Sequence, residues 1–331
     1  MLLDIMLLPA VFEAFNELKV LVIGDVMIDS YVFGRVDRIS PEAPVPVVVA
    51  QRREYRLGGA GNVLLNVQAL GAQAIACSVI GTDSYGDELC NLLESKGLVT
   101  RGIVRSRDRI TTVKERIIAG SQQVVRVDTE TEAPISTEEK ASLLQKIKEL
   151  ALQCQVIIFE DYDKGVISAD LIQQVVSFAK EHGIPTVVDP KKRNFLHYHG
   201  TTLFKPNLKE LREGLNISFD VRIPLELEAA AQKLKDALSL DGTLITLSER
   251  GVYIDFKEEK CHLPAHIRQI SDVSGAGDTV ISIAACCVAL GLSPQRIAGL
   301  SNLGGGLVCE EVGVVPINKS LLLAEALVAN L

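Results

Sequence analysis

Ile270-Ser271-Asp272-Val273-Ser274-Gly275-Ala276-Gly277-Asp278-Thr279 is the stretch on which the interpretation of this chain depends. The small and apolar residues that follow it, 280–290, predict a buried helix. Because Gly275-Ala276-Gly277 carry little or no side chain, their main-chain N–H groups can approach a ligand at the positive end of that helix. This arrangement predicts an anion hole suited to a phosphoryl group. Asp278 follows directly, placed to accept a proton from an attacking hydroxyl.

A tight turn with Asp278 as a helix cap would also explain the glycines. The functional interpretation is favoured by Asp272, six residues before Asp278, and by the near absence of charge in the following helix. A Walker loop is excluded because no Lys-Ser or Lys-Thr follows the glycines. A dinucleotide-binding fingerprint is excluded because its third glycine is missing.

The segment Asp272–Asp278 resembles the C-terminal signature of the ribokinase-like sugar kinases, the phosphofructokinase B family. Ser274 stands where that family usually has Thr, and it keeps the hydroxyl. The resemblance implies an ATP-dependent carbohydrate kinase that uses Mg²⁺, with a monovalent cation left open. It also implies a ribokinase-like three-layer α/β sandwich with a mostly parallel central sheet and a small β lid.

The strand and helix pattern points to the same architecture. Apolar strands alternate with helices along the chain, which predicts a parallel sheet covered by helices on both faces. Residues 31–56 and 111–128 break this rhythm and predict a separate lid of three strands. Because an exposed apolar lid edge is a liability, we expect a homodimer formed through the lid. Residues 19–331 are predicted to form one kinase domain after an N-terminal helical extension over 1–18.

Composition restricts the class of partner and the compartment. The chain has 331 residues, 47% of them apolar and 23% charged, as in ordinary globular proteins. Its net charge of −8 argues against nucleic acid or an anionic membrane as the main partner. Seven scattered cysteines without a Cys-x-x-Cys pair predict a reduced, cytoplasmic protein. The first eighteen residues lack the basic start of a signal peptide.

Two polar segments follow predicted strands where ligands collect in α/β sheets. Asp25 and Asp29 come at the end of the first apolar strand, and carboxylates are good acceptors for sugar hydroxyls. Either could equally be a turn former. Gly58 and Gly59 would allow close approach of a ligand, and Asn62 offers both a donor and an acceptor. Close packing of a helix start on the sheet would explain these glycines equally well.

A second segment, Asn207-Leu208-Lys209-Glu210, is a candidate for nucleotide and metal binding. Asn207 and Glu210 share a face of a helix start and could hold Mg²⁺ through water beside the nucleotide phosphates. A capping box explains this Asn-x-x-Glu spacing at least as often. The resemblance further implies that the loop Thr246–Gly251, with Ser248 and Gly251, and Asn302 in a late helix, bind the nucleotide.

The lid segment from Gly34 to Val48 resembles that of the bacterial heptose 7-phosphate kinases, the kinase half of bifunctional ADP-heptose synthases. This resemblance implies phosphorylation of heptose 7-phosphate at O1 to the 1,7-bisphosphate, for nucleotide-activated heptose in surface polysaccharide such as lipopolysaccharide. The chain stops at Leu331 without a His-x-Gly-His motif, so we expect a separate nucleotidyltransferase for the later step.

A sugar that already carries phosphate requires cations, and the lid and one strand end supply candidates. The segment Asp161-Tyr162-Asp163-Lys164-Gly165 also resembles the heptose kinases, which implies substrate binding by Asp161 and Lys164. The other candidate cations are Arg38, Lys114 and Arg116, and surface solubility would explain each of them singly.

Two other functions remain open on the sequence. The chain could be another ribokinase-like carbohydrate or nucleoside kinase, which would act on a substrate without a distal phosphate. It could also be a nucleotide- or sugar-binding regulator with the kinase fold, although the intact Asp278 and anion hole argue against an inactive protein.

Overall fold

In this computed structural model, which describes residues 7–266 and 268–331, apolar runs form strands and amphipathic or apolar segments form helices. The strands are β1 (Lys19–Gly24), β2 (Val26–Ile39), β3 (Pro46–Gly59), β4 (Gln73–Gly81), β5 (Val99–Ser106), β6 (Val113–Ala119), β7 (Gln122–Thr129), β8 (Val156–Glu160), β9 (Thr186–Asp189), β10 (Leu203–Phe204), β11 (Gly242–Thr246), β12 (Val252–Phe256) and β13 (Glu259–Leu263). The helices are α1 (Leu8–Ala14), α2 (Ala60–Ala69), α3 (Ser84–Ser95), α4 (Thr137–Ala151), α5 (Ala169–Glu181), α6 (Leu208–Leu215), α7 (Pro224–Leu238), α8 (Ala276–Ala289), α9 (Pro294–Val308) and α10 (Lys319–Val328).

The central sheet has nine strands in the order β13-β12-β11-β10-β9-β8-β1-β4-β5. The pairings from β11 to β5 are parallel, whereas β12 and β13 add an antiparallel edge. Alternate residues of β1 enter two different cores: Val20 and Val22 face the core with α2, α8 and α9, and Leu21 and Ile23 face the core with α4, α5 and α7. The expected three-layer sandwich is therefore confirmed.

The second sheet is the lid, with strand order β3-β2-β6-β7. It has four strands rather than the three expected, because Gly120, with φ +61°, turns the chain between β6 and β7. The strand β2 begins at Val26, directly after the first strand of the central sheet. The strand β3 continues without a loop into α2. Two lid strands are therefore rooted at the carboxyl end of β1.

The N-terminal segment packs on the kinase body within the described residues. Residues 1–6, which belong to the predicted extension, lie outside the described residues. Val11 and Phe12 of α1, and Phe15 in the turn that follows, are buried in the same core as α2, α8 and α9. Across residues 7–266 and 268–331, we find no helix that combines the length and the apolar character needed to cross a bilayer.

Candidate active site

Three carboxylates meet where β8, β9 and α8 converge. Glu160 ends β8, Asp189 ends β9, and the parallel register of these strands places the two residues side by side. Asp278 reaches the same point from the first turn of α8, and all three side chains are buried. One oxygen from each carboxylate lies within 4.8 Å of the others. We call Glu160, Asp189 and Asp278 the acidic cluster.

Asp278 is held by a donor on each of its oxygens. Nδ2 of Asn62 donates to Oδ2 at 2.6 Å, and the hydroxyl of Tyr162 donates to Oδ1 at 3.0 Å. Burial raises the pKa of Asp278 to about 6, and the hydrogen bonds from Asn62 and Tyr162 act in the opposite direction. A carboxylate that titrates just below neutrality, with fixed orientation, has the properties of a general base.

The pH dependence of activity follows from this environment. If Asp278 is the general base, kcat/KM should fall as the pH drops below about 6, because protonation of its carboxylate would remove the acceptor for the proton of the attacking hydroxyl. Tyr162→Phe removes the hydroxyl that favours the ionised form, so the acid limb should move to higher pH. Steady-state rates across pH 4.5–8.5 with saturating Mg-ATP would measure the acid limb of the pH profile in the wild type and in Tyr162→Phe. An unchanged acid limb in Tyr162→Phe would contradict the role of this hydrogen bond.

Charge within the acidic cluster is only partly compensated by the protein. Nζ of Lys205 lies 2.7 Å from Oδ2 of Asp189, and both side chains are buried. Burial alone would lower the pKa of Lys205, yet the Asp189 and Glu210 carboxylates hold it above its usual value. Burial, together with Asp189 and Asp278, raises the pKa of Glu160 well above its usual value. Its Oε2 atom is buried without a protein hydrogen-bond partner.

Gly275 and Gly277, from the segment 270–279, lie beside the acidic cluster. Gly275 caps α8 with φ +80°, and a Cβ there would lie 2.9 Å from Nδ2 of Asn62. At Gly277, the nearest atoms to a Cβ would be Oδ2 of Asp189 and Nζ of Lys205, each at 3.7 Å. The N-terminal amides of α8 therefore start next to Asp278, as an anion hole requires.

Asp272 fixes the loops around the anion hole. Its Oδ1 accepts from the amide of Ser274 at 2.9 Å, and its Oδ2 accepts from the amide of Gly313 at 3.2 Å. These two bonds tie the segment before α8 to the loop that precedes α10. Because Val314 of that loop contacts the position of Gly275, the loop forms one wall beside the anion hole.

A cavity of about 310 Å³ opens next to the base. Asn62 lines it and also donates to Asp278, so the cavity adjoins the acidic cluster. Its other lining residues are Asp29, Tyr31, Tyr55, Arg56, Leu57, Leu65, Leu92, Lys96, Val314 and Pro316. Apolar and aromatic walls with a few polar groups are typical of a small-molecule site.

Asp29 and the paired glycines 58 and 59 form the root of the lid at this cavity. Nη1 of Arg116 donates to Oδ1 of Asp29 at 2.5 Å, so the predicted carboxylate and one predicted cation form a pair. A Cβ at Gly58 would lie 2.5 Å from Oδ2 of Asp29. At Gly59, where φ is +57°, a Cβ would lie 2.5 Å from the carbonyl oxygen of Asp25. The atoms that closely approach Gly58 and Gly59 therefore belong to the protein's own Asp29 and Asp25.

The structure gives two predicted sugar ligands internal partners. Asp25 accepts from the main-chain amides of Tyr162, Lys164 and Val166, at 3.0, 3.2 and 3.2 Å. It thereby orders the loop that carries Tyr162, rather than facing the cavity. Its contact with a sugar remains a prediction, and these bonds make it a support for Asp278 through Tyr162.

Asp161 is likewise surrounded by the protein. Its carboxylate accepts from Nδ2 of Asn194 at 3.0 Å, the hydroxyl of Tyr198 at 2.9 Å and the amide of Asp163 at 2.8 Å. Burial raises the pKa of Asp161 to about 6. It does not line the cavity, and its contact with substrate remains a prediction.

The predicted lid cations have acidic partners or lie far from the cavity. Glu130 bridges Lys164 and Lys114, with N–O distances of 2.8 and 3.2 Å. Arg38 lies exposed in the outer part of β2, nine positions beyond Asp29. At roughly 3.3 Å per residue this separates them by about 30 Å, so Arg38 does not reach the cavity of its own chain.

Asn207 and Glu210 form the capping box that the sequence left as an alternative. Oδ1 of Asn207 accepts from the amide of Glu210 at 2.8 Å, and Oε2 of Glu210 accepts from the amide of Asn207 at 2.9 Å. Nζ of Lys191 donates to Oε1 of Glu210 at 3.0 Å. Leu208 opens α6, and the Lys209 side chain is exposed. Metal and nucleotide binding by this segment remains a prediction.

The other predicted nucleotide ligands occupy the turn after β11 and the helix α9. Ser248 and Gly251, with φ of +54° and +85°, bracket a tight turn between β11 and β12. Nδ2 of Asn302 in α9 donates to the carbonyl of Pro264 at 2.8 Å. These positions lie on the elements that follow the acidic cluster along the sheet, and their contact with a nucleotide remains a prediction.

Sequence reasoning missed several residues that the fold brings to the site. Glu160 carried a usable signal, since it ends an apolar strand that pairs with β9, and Asp189 at the end of β9 was already expected near the site. Tyr162 belongs to the segment 161–165, which resembles the heptose kinases, but the sequence assigned no role to its side chain. Lys205, Arg56 and Lys96 approach the site only through tertiary packing, for which the local pattern gives no signal.

Comparison with known proteins supports one family. The model of the pfkB family carbohydrate kinases matches residues 17–320. A protein of Syntrophotalea carbinolica named bifunctional protein HldE is 42% identical over 304 residues, which cover 92% of this chain and 62% of that protein. The protein of the same name from Mesorhizobium japonicum is 39% identical, covering 90% of this chain and 60% of its own length. The chain thus spans somewhat over half the length of these relatives.

Solved structures show the same fold. The tetrameric inhibited form of phosphofructokinase-2 from Escherichia coli superimposes with a TM-score of 0.76 at 18% identity, covering 93% of this chain and 99% of that one. Arabidopsis thaliana ribokinase, solved with ribose and ATP, gives a TM-score of 0.71 at 16% identity, covering 92% and 98%. At these identities the likeness concerns the fold alone.

Proposed function

We propose that this chain, which belongs to the pfkB family of carbohydrate kinases, transfers the γ-phosphoryl group of ATP to O1 of heptose 7-phosphate. The observation that carries the proposal is the position of Asn62, which lines the cavity and donates to Asp278. A sugar in that cavity would present a hydroxyl to the base. The choice of sugar rests on the lid segment Gly34 to Val48, which resembles that of bacterial heptose 7-phosphate kinases, and on the similarity to proteins named HldE.

In the proposed reaction Asp278 accepts the proton of the O1 hydroxyl as that oxygen attacks the γ-phosphorus. The new O–P bond forms in line with the bond to the β-phosphate oxygen, which breaks and leaves ADP. The amides at Gly275-Ala276-Gly277 stabilise negative charge on the γ-phosphoryl oxygens. Asn62 and Tyr162 hold the base in orientation, and the lid excludes water.

The described residues fit a divalent cation at the acidic cluster. Glu160 contributes a buried oxygen without a protein partner, and carboxylate oxygens are the ligands that Mg²⁺ prefers. We propose that Glu160 and Asp189 hold the cation, which when bound neutralises charge on the nucleotide phosphates. Asn207 and Glu210 remain the alternative, through water.

Matched amide variants separate these two metal sites. We expect Glu160→Gln to weaken Mn²⁺ binding, measured by paramagnetic resonance, and to raise the Mg²⁺ concentration for half-maximal activity. Glu210→Gln should change both quantities less, because its carboxylate is occupied by Lys191 and the amide of Asn207. A larger effect in Glu210→Gln would instead indicate that the metal binds at Asn207 and Glu210.

We further propose that two chains associate through their lids. The exposed apolar side chains of the lid support this, among them Ile39, Val45, Val125 and Val127. A monomer by light scattering at micromolar concentration would contradict it. Cytoplasmic location, a monovalent cation and a nucleotidyltransferase acting after this step remain predictions; comparing rates in potassium and tetramethylammonium salts tests the cation.

The substrate assignment is tested by ADP release with Mg-ATP across heptose 7-phosphate, unphosphorylated heptose, ribose, fructose 6-phosphate and a nucleoside. We expect a strong preference for heptose 7-phosphate. Preference for an unphosphorylated sugar or a nucleoside would replace the substrate with that of another ribokinase-like kinase. It would leave the family and the role of Asp278 in place.

A further inference from the structure

Two cations line the cavity beside the base, and neither is among those that the sequence suggested. Arg56 lies on β3 opposite Asp29, and Lys96 follows the last residue of α3. Among the described residues, the one carboxylate in the cavity lining is that of Asp29, which is already paired with Arg116 at 2.5 Å. Arg56 is paired at 2.9 Å with Glu54, which lies outside the lining, whereas no second acid among the described lining residues offsets Lys96.

The guanidinium of Arg56 is held in a fixed plane. Its Nη2 donates to Glu54 at 2.9 Å, and its Cζ lies 4.6 Å from the centre of the Tyr31 ring. Its Nη1 lies on the other side, 4.0 Å from where a Cβ would stand at Gly313. Arginine oriented in this way presents its remaining N–H groups as a planar fork, which matches the oxygens of a phosphate.

The wall of the cavity connects this guanidinium to the anion hole. Gly313 stands beside Arg56, and its neighbour Val314 lies 2.9 Å from the Cβ position of Gly275. With consecutive Cα atoms about 3.8 Å apart, these contacts separate Arg56 from the start of α8 by on the order of 10 Å. This is comparable with the length of a sugar that carries a phosphate at the carbon farthest from its reacting hydroxyl.

We infer that Arg56 and Lys96 bind the phosphate that the sugar already carries, so that the cavity selects a sugar phosphate with its free hydroxyl toward Asp278. This inference rests on the proposed sugar kinase activity and names the groups that choose the substrate. Arg56 supplies directional hydrogen bonds, and Lys96 supplies a mobile point charge at the cavity rim. Lys114 and Lys164, which share Glu130, support the lid instead.

The test compares Arg56→Gln, Lys96→Gln and the control Arg53→Gln. Arg53 lies on the same strand with matched exposure, 47% of its side chain against 46% for Arg56. It does not line the cavity and contacts Glu115 and the hydroxyl of Tyr55, so its charge is directed to other partners. Arg56→Gln should lower kcat/KM for heptose 7-phosphate about 10- to 100-fold and leave that for unphosphorylated heptose unchanged. Lys96→Gln should give a smaller loss of the same kind, and Arg53→Gln should resemble the wild type. Arg56→Lys should restore part of the loss, since the charge returns without the fork.

Equal losses for both sugars in Arg56→Gln, or no loss at all, would overturn the inference, provided that the thermal midpoint shows an intact fold. Inorganic phosphate gives an independent measurement. It should compete with the sugar in the wild type and compete less in Arg56→Gln. If the wild type prefers an unphosphorylated sugar, the proposed substrate is wrong. Loss of phosphate competition in Arg56→Gln would still support a phosphate site at Arg56. If phosphate does not compete in the wild type, the proposed phosphate site is wrong.

Discussion

Replacing Asp278 by Asn should lower kcat by about 10²- to 10⁴-fold, the usual contribution of a general base. The amide has nearly the same shape, but it cannot take the proton of the attacking hydroxyl. It also offers only one acceptor where Asn62 and Tyr162 both donate, so one of these donors loses its partner. Single-turnover formation of ADP with saturating substrates would measure the loss without interference from product release.

Asp272→Asn is the matched control for this change. It lies in the same glycine-rich segment, yet its carboxylate accepts from the amides of Ser274 and Gly313 rather than facing the acidic cluster. We expect Asp272→Asn to lower kcat less than Asp278→Asn does. Its activity should still fall at acidic pH, as in the wild type. Near-full turnover in Asp278→Asn, with a native melting curve, would show that another group accepts the proton.

The largest expected effect on stability comes from Lys205→Met. The change removes the cation that lies 2.7 Å from the buried carboxylate of Asp189, next to Glu160 and Asp278. Breaking a buried ion pair by removing one partner costs about 3–5 kcal/mol, because the remaining charge is left without compensation. Equilibrium unfolding in urea would measure the difference in the free energy of unfolding.

Lys140→Met provides the comparison for an exposed pair. Lys140 contacts Asp170 at the surface, where more than half of the Asp170 side chain is accessible to solvent. Surface pairs of this kind contribute about 0–1 kcal/mol. If both variants were destabilised equally, burial of the Lys205 pair would not be the source of the effect.

The architecture was predictable because its signals are local. Continuous apolar runs such as that of β1 predict strands buried on both faces, and their alternation with helices leads to a parallel sheet. The number of lid strands was not predictable in this way. The alternating run of residues 111–128 looks like one strand, and only the positive φ of Gly120 shows that it folds back on itself.

The site was predictable where helix starts and strand ends define it. The fold brings Gly275, Asp278 and Asn62 close together, and their roles in catalysis remain proposals. Asp25 could not be assigned from its position, because a strand-end carboxylate can face a ligand or bind nearby amides, and here it binds amides. The contacts of Tyr162 and Lys205 depend on side chains that meet across elements, and no spacing in the sequence encodes them.

The direct passage from lid strand β3 into helix α2 has a mechanical consequence. Asn62 lies in the first turn of that helix, so the lid and the amide that holds Asp278 belong to one uninterrupted piece of backbone. A rotation of the lid that is not absorbed by the backbone of Gly58 and Gly59 would also turn the start of α2. Moving the lid outward would draw Nδ2 of Asn62 from a buried carboxylate, which has an electrostatic cost. Covering the substrate and orienting the proposed base would then be two results of a single movement.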